Sequence, residues 1–379
     1  MHDHAILDEL RLRQPAMLAE LVRLIEHESP SSEKQALRAL GEHLAVRFSE
    51  LGGAVKRVGE RGAAFHVQAR FSGPEERRPA LLLAHFDTVW PLGTLERMPV
   101  REDEGRLFGP GVYDMKASLV MVAAVVEVLG RLKRKLPRPL LVLLNSDEEI
   151  GSPSSRQLIE ELARQSEYVL VLEPPLPDGG LKTARKGVGR FTIEVEGKAA
   201  HAGVAPEQGR SAIVELAHQV LGATELNDPR SGTTVSVGLI RGGTAFNVVP
   251  ADASAEVDVR ATSLAAATAV EAALRAFAAL TPGTKVTVRG GFVRPPMERT
   301  PAIAGLFARA QEIAARLGLE LSEGSTGGGS DGNFTAALGV PTLDGLGVQG
   351  GGAHAENEHI RIDSLPERAA LLAALLLHL

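Results

Sequence analysis

Apolar positions recur at three-to-four spacing over residues 17–28 and 34–51, which predicts two amphipathic helices. The break between them, Ser29-Pro30-Ser31-Ser32, offers hydroxyls suited to capping the second. Short β-like runs follow at 64–71 and 79–85. A long apolar helical pattern then covers 114–132. The unbroken apolar run 139–145 predicts a strand buried on both faces, and a helix over 152–165 and a strand over 168–173 complete the series. Strands alternating with helices predict an α/β sheet with buried parallel strands.

The pattern changes after Pro174-Pro175 and Gly179-Gly180. Residues 189–197 alternate like a half-exposed strand, 211–224 read as helix, 233–240 and 253–260 as strands, 264–280 as an Ala-rich helix and 284–292 as a strand. That β-α-β-β-α-β order is the ferredoxin-like α+β pattern, expected here as an inserted domain. The α/β pattern resumes from 301, with a helix to 317, a Gly-rich loop over 324–332, a strand at 341–343 and a terminal helix from 364. The expected division is 1–183 for the first part of the main domain, 184–293 for the insertion and 294–379 for the second part.

A chain of 379 residues, 44% of them hydrophobic, can bury two cores. A formal net charge of −6 with both signs interspersed lacks the basic face of a nucleic-acid binder, so a small-molecule partner is expected. No apolar run approaches the roughly 20 residues that span a bilayer, so no membrane partner is expected. Residues 1–15 carry Asp3, Asp8 and Glu9 and no apolar stretch of signal-peptide length, which makes a cytoplasmic location the expectation. With no cysteine in the chain, any metal has to be held by histidine and carboxylate.

Residues of that type stand where strands end. Ala84-His85-Phe86-Asp87 closes one apolar run, and Asp87 is close enough to His85 to fix the imidazole's tautomer. Asp147-Glu148-Glu149 closes the next, where open α/β sheets place their sites and adjacent carboxylates can divide between metal ligation and general base. Glu173 closes a third. Asp114 sits in Gly109-Pro-Gly-Val-Tyr-Asp-Met-Lys at the entry to a helix, where a carboxylate either bridges metals or caps the helix. His354 follows Gly350-Gly-Gly-Ala, and His359 offers a second imidazole nearby.

With these motifs, and with Ser146-Asp-Glu148-Glu149-Ile-Gly-Ser, Leu172-Glu173-Pro, Gly197-Lys-Ala-Ala-His201-Ala-Gly, Asn247-Val-Val-Pro, Asp258-Val-Arg260 and Gly328-Gly-Ser-Asp331, the chain resembles the M20 metallopeptidases, and within them the glutamate carboxypeptidase branch. The matching motifs run from about residue 81 to 354. The resemblance implies a mixed-sheet zinc exopeptidase domain with an inserted lid and dimerisation domain. It implies two zinc ions bridged by Asp114, with His85 and Glu173 on one and Glu149 and His354 on the other; histidine and carboxylate donors would also accept cobalt or manganese. Glu148 is then the general base, Asp87 the partner of His85, and the Asp114-Met115 peptide cis. His354 is preferred to His359 because it follows the glycines.

From the inserted domain the resemblance implies a His201 that stabilises the oxyanion in the partner subunit of a homodimer. Asn247 and Arg260 would grip the substrate's free carboxylate, and backbone N–H groups of Gly328, Gly329 and Ser330 would add donors. Met115 departs from the small or acidic residue of several relatives without removing a ligand. Glu at 173 favours the acylase and carboxypeptidase branches, hence an N-acyl amino acid or peptide substrate with a free C-terminal carboxylate, glutamate among the candidates. The alternatives are a deacylase of the acetylornithine or succinyl-diaminopimelate type and a non-catalytic metabolite-binding relative.

Overall fold

The computed structural model describes residues 2–59 and 64–379. The chain forms two compact units. One comprises Met1–Thr183, Arg299–Ser325 and Ser330–Leu379, and the other Ala184–Glu298 with Thr326–Gly329.

The first unit is built on a six-stranded sheet in the order Ala54–Val58, His66–Phe71, Leu140–Asn145, Ala80–His85, Tyr168–Val171, Thr342–Leu343. The pairings among the first three strands are antiparallel and the rest parallel. Ala80–His85 and Leu140–Asn145 are buried at every position, because helices cover both faces of a parallel sheet. On one face Leu81, Leu83, Leu141, Leu143, Val169 and Val171 pack against Ile159, Leu162, Phe334 and Val340. Each such side chain contributes about 1.5–3 kcal/mol on burial. The parallel register sets His85 beside Asn145. The residues that follow these strands, together with Glu173 after Tyr168–Val171, therefore gather at the carboxyl edge of the sheet, where α/β sheets place their sites.

Three local expectations shift. The first helix runs over His2–Glu26 instead of starting at 17, and Pro15 sits inside it. Pro15 reads as a breaker in sequence, yet Ile6, Leu10, Met17, Leu21 and Ile25 continue one buried stripe past it. The helix expected from 114 begins at Ala117, because Asp114 and Met115 have non-helical dihedrals and the bond between them is cis. The polar strands Arg101–Asp103 and Arg106–Phe108 form a hairpin that hydrophobic periodicity does not announce.

The second unit is a four-stranded antiparallel sheet in the order Thr234–Gly242, Asp252–Ala261, Gly187–Glu196, Lys285–Arg294. With helices Ala212–Glu225 and Leu264–Arg275 it follows β-α-β-β-α-β in chain order. Its core joins Phe191, Ile193, Val257 and Val259 of the sheet to Leu216 and Leu274 of the helices. Ser211 and Ser263 cap those helices by accepting from Val214 N–H and Ala266 N–H, each worth about 1 kcal/mol. Among the described residues no helix is long and apolar enough to cross a membrane.

Candidate metal centre

His85 closes its strand almost wholly buried. Its Nδ1 lies 3.0 Å from the backbone carbonyl of Asp87 and 3.4 Å from that residue's Oδ1. Donation of Nδ1–H to Asp87 leaves Nε2 as the ligating nitrogen, and it faces Asp114 Oδ1 at 3.1 Å and Glu173 Oε1 at 3.6 Å. The carbonyl of Asp87, more than its carboxylate, orients the ring.

The Asp87 carboxylate is fully buried and holds its neighbours. It accepts from Ser31 Oγ at 2.7 Å and from the backbone N–H groups of Glu148 and Glu149 at 3.1 Å each. Of the acidic run at the next strand end, Asp147 turns away from the site. It accepts from Ser154 N–H and Oγ, both at 2.7 Å, and from Ser155 Oγ at 2.5 Å, bracing the turn that precedes helix Arg156–Gln165.

Asp114 does not act as a cap. Its Oδ1 is 3.1 Å from His85 Nε2 and its Oδ2 is 3.4 Å from His354 Nε2, so the two oxygens face different imidazoles, the arrangement of a bridging carboxylate. His354, held at φ +61°, also reaches Glu149 Oε2 at 3.3 Å. Two triads each present one ligand atom within 4.8 Å of the others: His85, Glu148 and Glu173, and His85, Asp114 and Glu149.

The electrostatics are those of a cation site. Burial disfavours a charged His85, but the bonds to Asp114 and Asp87 outweigh it and raise its pKa well above the usual value. Bonds to Asp114 and Glu149 raise His354 to about 10. Burial favours protonation of Asp114, yet its two histidine partners hold its pKa well below the carboxylate range; burial pushes Glu149 up. Glu149 Oε1 is buried with no hydrogen-bond partner, which costs about 1–3 kcal/mol or more for a charged group. A divalent cation would satisfy that oxygen and would take the place of the protons that the imidazoles hold against the acids, so the donor set fits a metal.

The other expected site residues lie in the second unit, apart from Ser330. His201 is exposed, and its Nδ1 accepts from Gly203 N–H at 3.1 Å. Its turn is bridged to the segment carrying Asn247, with Ala202 N–H donating to the Asn247 carbonyl at 2.9 Å. Arg260 donates Nε and an Nη to Asp258 at 2.8 and 2.9 Å, which fixes the guanidinium plane. The Gly328 and Gly329 carbonyls accept from Arg185 at 3.2 and 3.3 Å. Ser330 belongs to the first unit, where its N–H is given to Asn333 Oδ1 at 2.8 Å and its hydroxyl to Asp344. His359 lies in a strand, donates to the Asn357 carbonyl at 2.8 Å and packs on Phe108, a structural position.

Sequence reasoning missed Ser31, which holds Asp87, and Glu358, which takes four hydrogen bonds around the Asp114 turn. Ser31 was visible only as a possible cap. Glu358 was one acid among several after His354, and nothing in their order singled it out.

The chain is 29% identical to carboxypeptidase G2 of a Pseudomonas species over 389 aligned residues, covering 100% of this chain and 92% of that protein. It is 29% identical to a succinyl-diaminopimelate desuccinylase of Delftia acidovorans, covering 84% of this chain and 87% of the relative. In fold it is similar to aminopeptidase PepT of Bacillus cereus, with a TM-score of 0.80 at 23% identity over 96% of this chain and 98% of that one. The model of peptidase family M20/M25/M40 matches residues 81–378, and the chain belongs to that family, whose members are metal-dependent hydrolases of amide bonds.

Proposed function

We propose that this protein is a two-zinc hydrolase that cleaves the amide bond joining an N-acyl or peptidyl group to a C-terminal amino acid with a free carboxylate, glutamate among them. The observation that carries the metal reading is the division of Asp114 between His85 and His354 beside the unpartnered Glu149 Oε1. His85, Asp114 and Glu173 would hold one ion, and Glu149, Asp114 and His354 the other; cobalt and manganese suit the same donors. When bound, the ions supply Lewis acidity, acidifying water and polarising the scissile carbonyl.

Glu148 accepts the proton of the attacking water and returns it to the leaving amine. Its backbone is pinned through Asp87, so the base and the ligand Glu149 are placed by one buried carboxylate. Arg260, held planar by Asp258, and Asn247 bind the substrate carboxylate, for which the guanidinium fork is suited. His201 of one subunit donates to the oxyanion formed in the other. A homodimer through the second unit is supported by its edge strand Thr234–Gly242, where Leu239 and Ile240 are exposed, and by the fully exposed Phe246.

Likeness to the desuccinylase supports a second reading, removal of a short acyl group from an amino acid. Hydrolysis of N-acyl amino acids and of C-terminal Glu, Asp, Ala and Phe dipeptides by zinc-loaded protein separates the two. Release of the C-terminal amino acid from blocked substrates, lost in Glu148→Ala, supports the carboxypeptidase reading. Turnover confined to acetyl- or succinyl-amines supports the second, and equal turnover by the variant overturns both.

A further inference from the structure

Glu358 is 1% exposed, and no cation is bonded to its carboxylate among its described contacts. Four donors converge on it instead. Oε1 accepts the N–H groups of Tyr113 at 2.9 Å and Asp114 at 3.0 Å, and Oε2 accepts the N–H of Gly111 at 2.9 Å and the indole Nε1–H of Trp90 at 2.7 Å. Its main chain continues the link, with its carbonyl accepting from Gly109 N–H at 3.3 Å and its N–H donating to the Ala355 carbonyl at 2.9 Å. Three backbone donors of a turn whose Asp114 and Met115 have non-helical dihedrals have this one side chain as their acceptor, and an unmet buried N–H costs about 1–3 kcal/mol.

The same residue therefore touches three parts of the centre. Through the N–H groups it sets the turn carrying Asp114. Through Trp90 it holds the segment that leaves His85 and Asp87. Through its own chain it closes the turn that presents His354. We infer that Glu358 is a positioning residue for the metal centre, fixing the 111–114 backbone so that the two Asp114 oxygens divide between the imidazoles. This rests on the reading of the cluster as a metal centre, but it is tested on metal binding, separately from turnover.

Glu358→Gln keeps size and shape but replaces one acceptor oxygen with an NH2 donor, so in either orientation an amide hydrogen faces donors. Titration with Co2+ alone, followed by calorimetry and by the visible spectrum of the bound ion, reads the effect without substrate. The expected result is a 10- to 100-fold weaker Kd and an altered spectrum for Glu358→Gln, the range seen when groups that orient ligands are replaced. Glu358→Asp should fall between it and the unmodified protein. Glu356→Gln, which removes an exposed acid of the same turn paired with Arg97, should bind as the unmodified protein does.

Wild-type affinity and spectrum in Glu358→Gln would overturn the inference, as would equal weakening in Glu356→Gln. If Glu358→Gln fails to fold by circular dichroism, Trp90→Phe decides, since it removes one donor and leaves the carboxylate: a weaker Kd supports the role and an unchanged one ends it. Unmodified protein that binds Co2+ but cleaves no amide would sink the proposed activity and leave this inference standing. Failure of the unmodified protein to bind Co2+ would sink both.

Discussion

Asp87 carries more of the centre than its place beside His85 suggests, because the same carboxylate holds the backbones of Glu148 and Glu149. Glu148→Gln removes the base and nothing from that scaffold. Its kcat should fall by about 10²–10⁴ with zinc content by elemental analysis unchanged, and a loss of zinc instead would make Glu148 a ligand. His354 carries a second prediction. Its pKa in the metal-free protein is about 10, above the unfolded value near 6.5. Its protonation thus contributes stability that is full below about 6.5 and lost as pH rises through about 10. At pH 7–8 a metal ion must displace that proton. Calorimetry in buffers of different ionisation enthalpy should show net proton release on loading, and no buffer dependence would contradict the protonated resting state.

At the scale of elements, the strands that carry the site are those whose burial is complete. Leu143, at the centre of Leu140–Asn145, should cost about 2–5 kcal/mol as Leu143→Ala in denaturant unfolding, and a change below about 1 kcal/mol would mean the core collapses around the cavity. Gly350 pairs with Ile360 just before the His354 turn, and an added Cβ would stand 2.1 Å from the His359 carbonyl oxygen. Gly350→Ala should weaken metal binding by displacing that turn; intact affinity would show the strand pair to be dispensable.

The same distinction explains what was legible in the sequence. Unbroken apolar runs placed Ala80–His85, Leu140–Asn145 and Tyr168–Val171, and with them the positions of His85, Asp87, Glu148, Glu149 and Glu173. Alternation placed the first strand of the second unit, and helical patterning placed its two helices. The hairpin Arg101–Asp103 with Arg106–Phe108 was not legible, since its strands are short, polar and held by pairing to distant residues. Glu358 was hidden for a related reason: three of its four donors are main-chain N–H groups some 245 positions away, and backbone donors leave no trace in side-chain identity. Asp114 was ambiguous for the opposite reason, an Asp at a helix entry being a good cap until His85 and His354 are brought to it.

For the whole molecule, the proposed function assigns the ligand cluster to the first unit and substrate recognition to His201, Asn247 and Arg260 of the second. If His201 acts across a dimer, Ile240→Asp on the exposed edge strand should give a monomer by light scattering, with zinc content retained and turnover reduced by about 10²-fold or more. Full activity in a monomer would confine His201 to its own subunit or remove it from catalysis.

A paired metal centre bridged by Asp114 is open to anomalous diffraction at the zinc edge from zinc-loaded crystals. The expected map has two peaks flanking Asp114, one within bonding distance of His85 and Glu173 and the other of Glu149 and His354. A single peak, or zinc held by residues other than these, would contradict it.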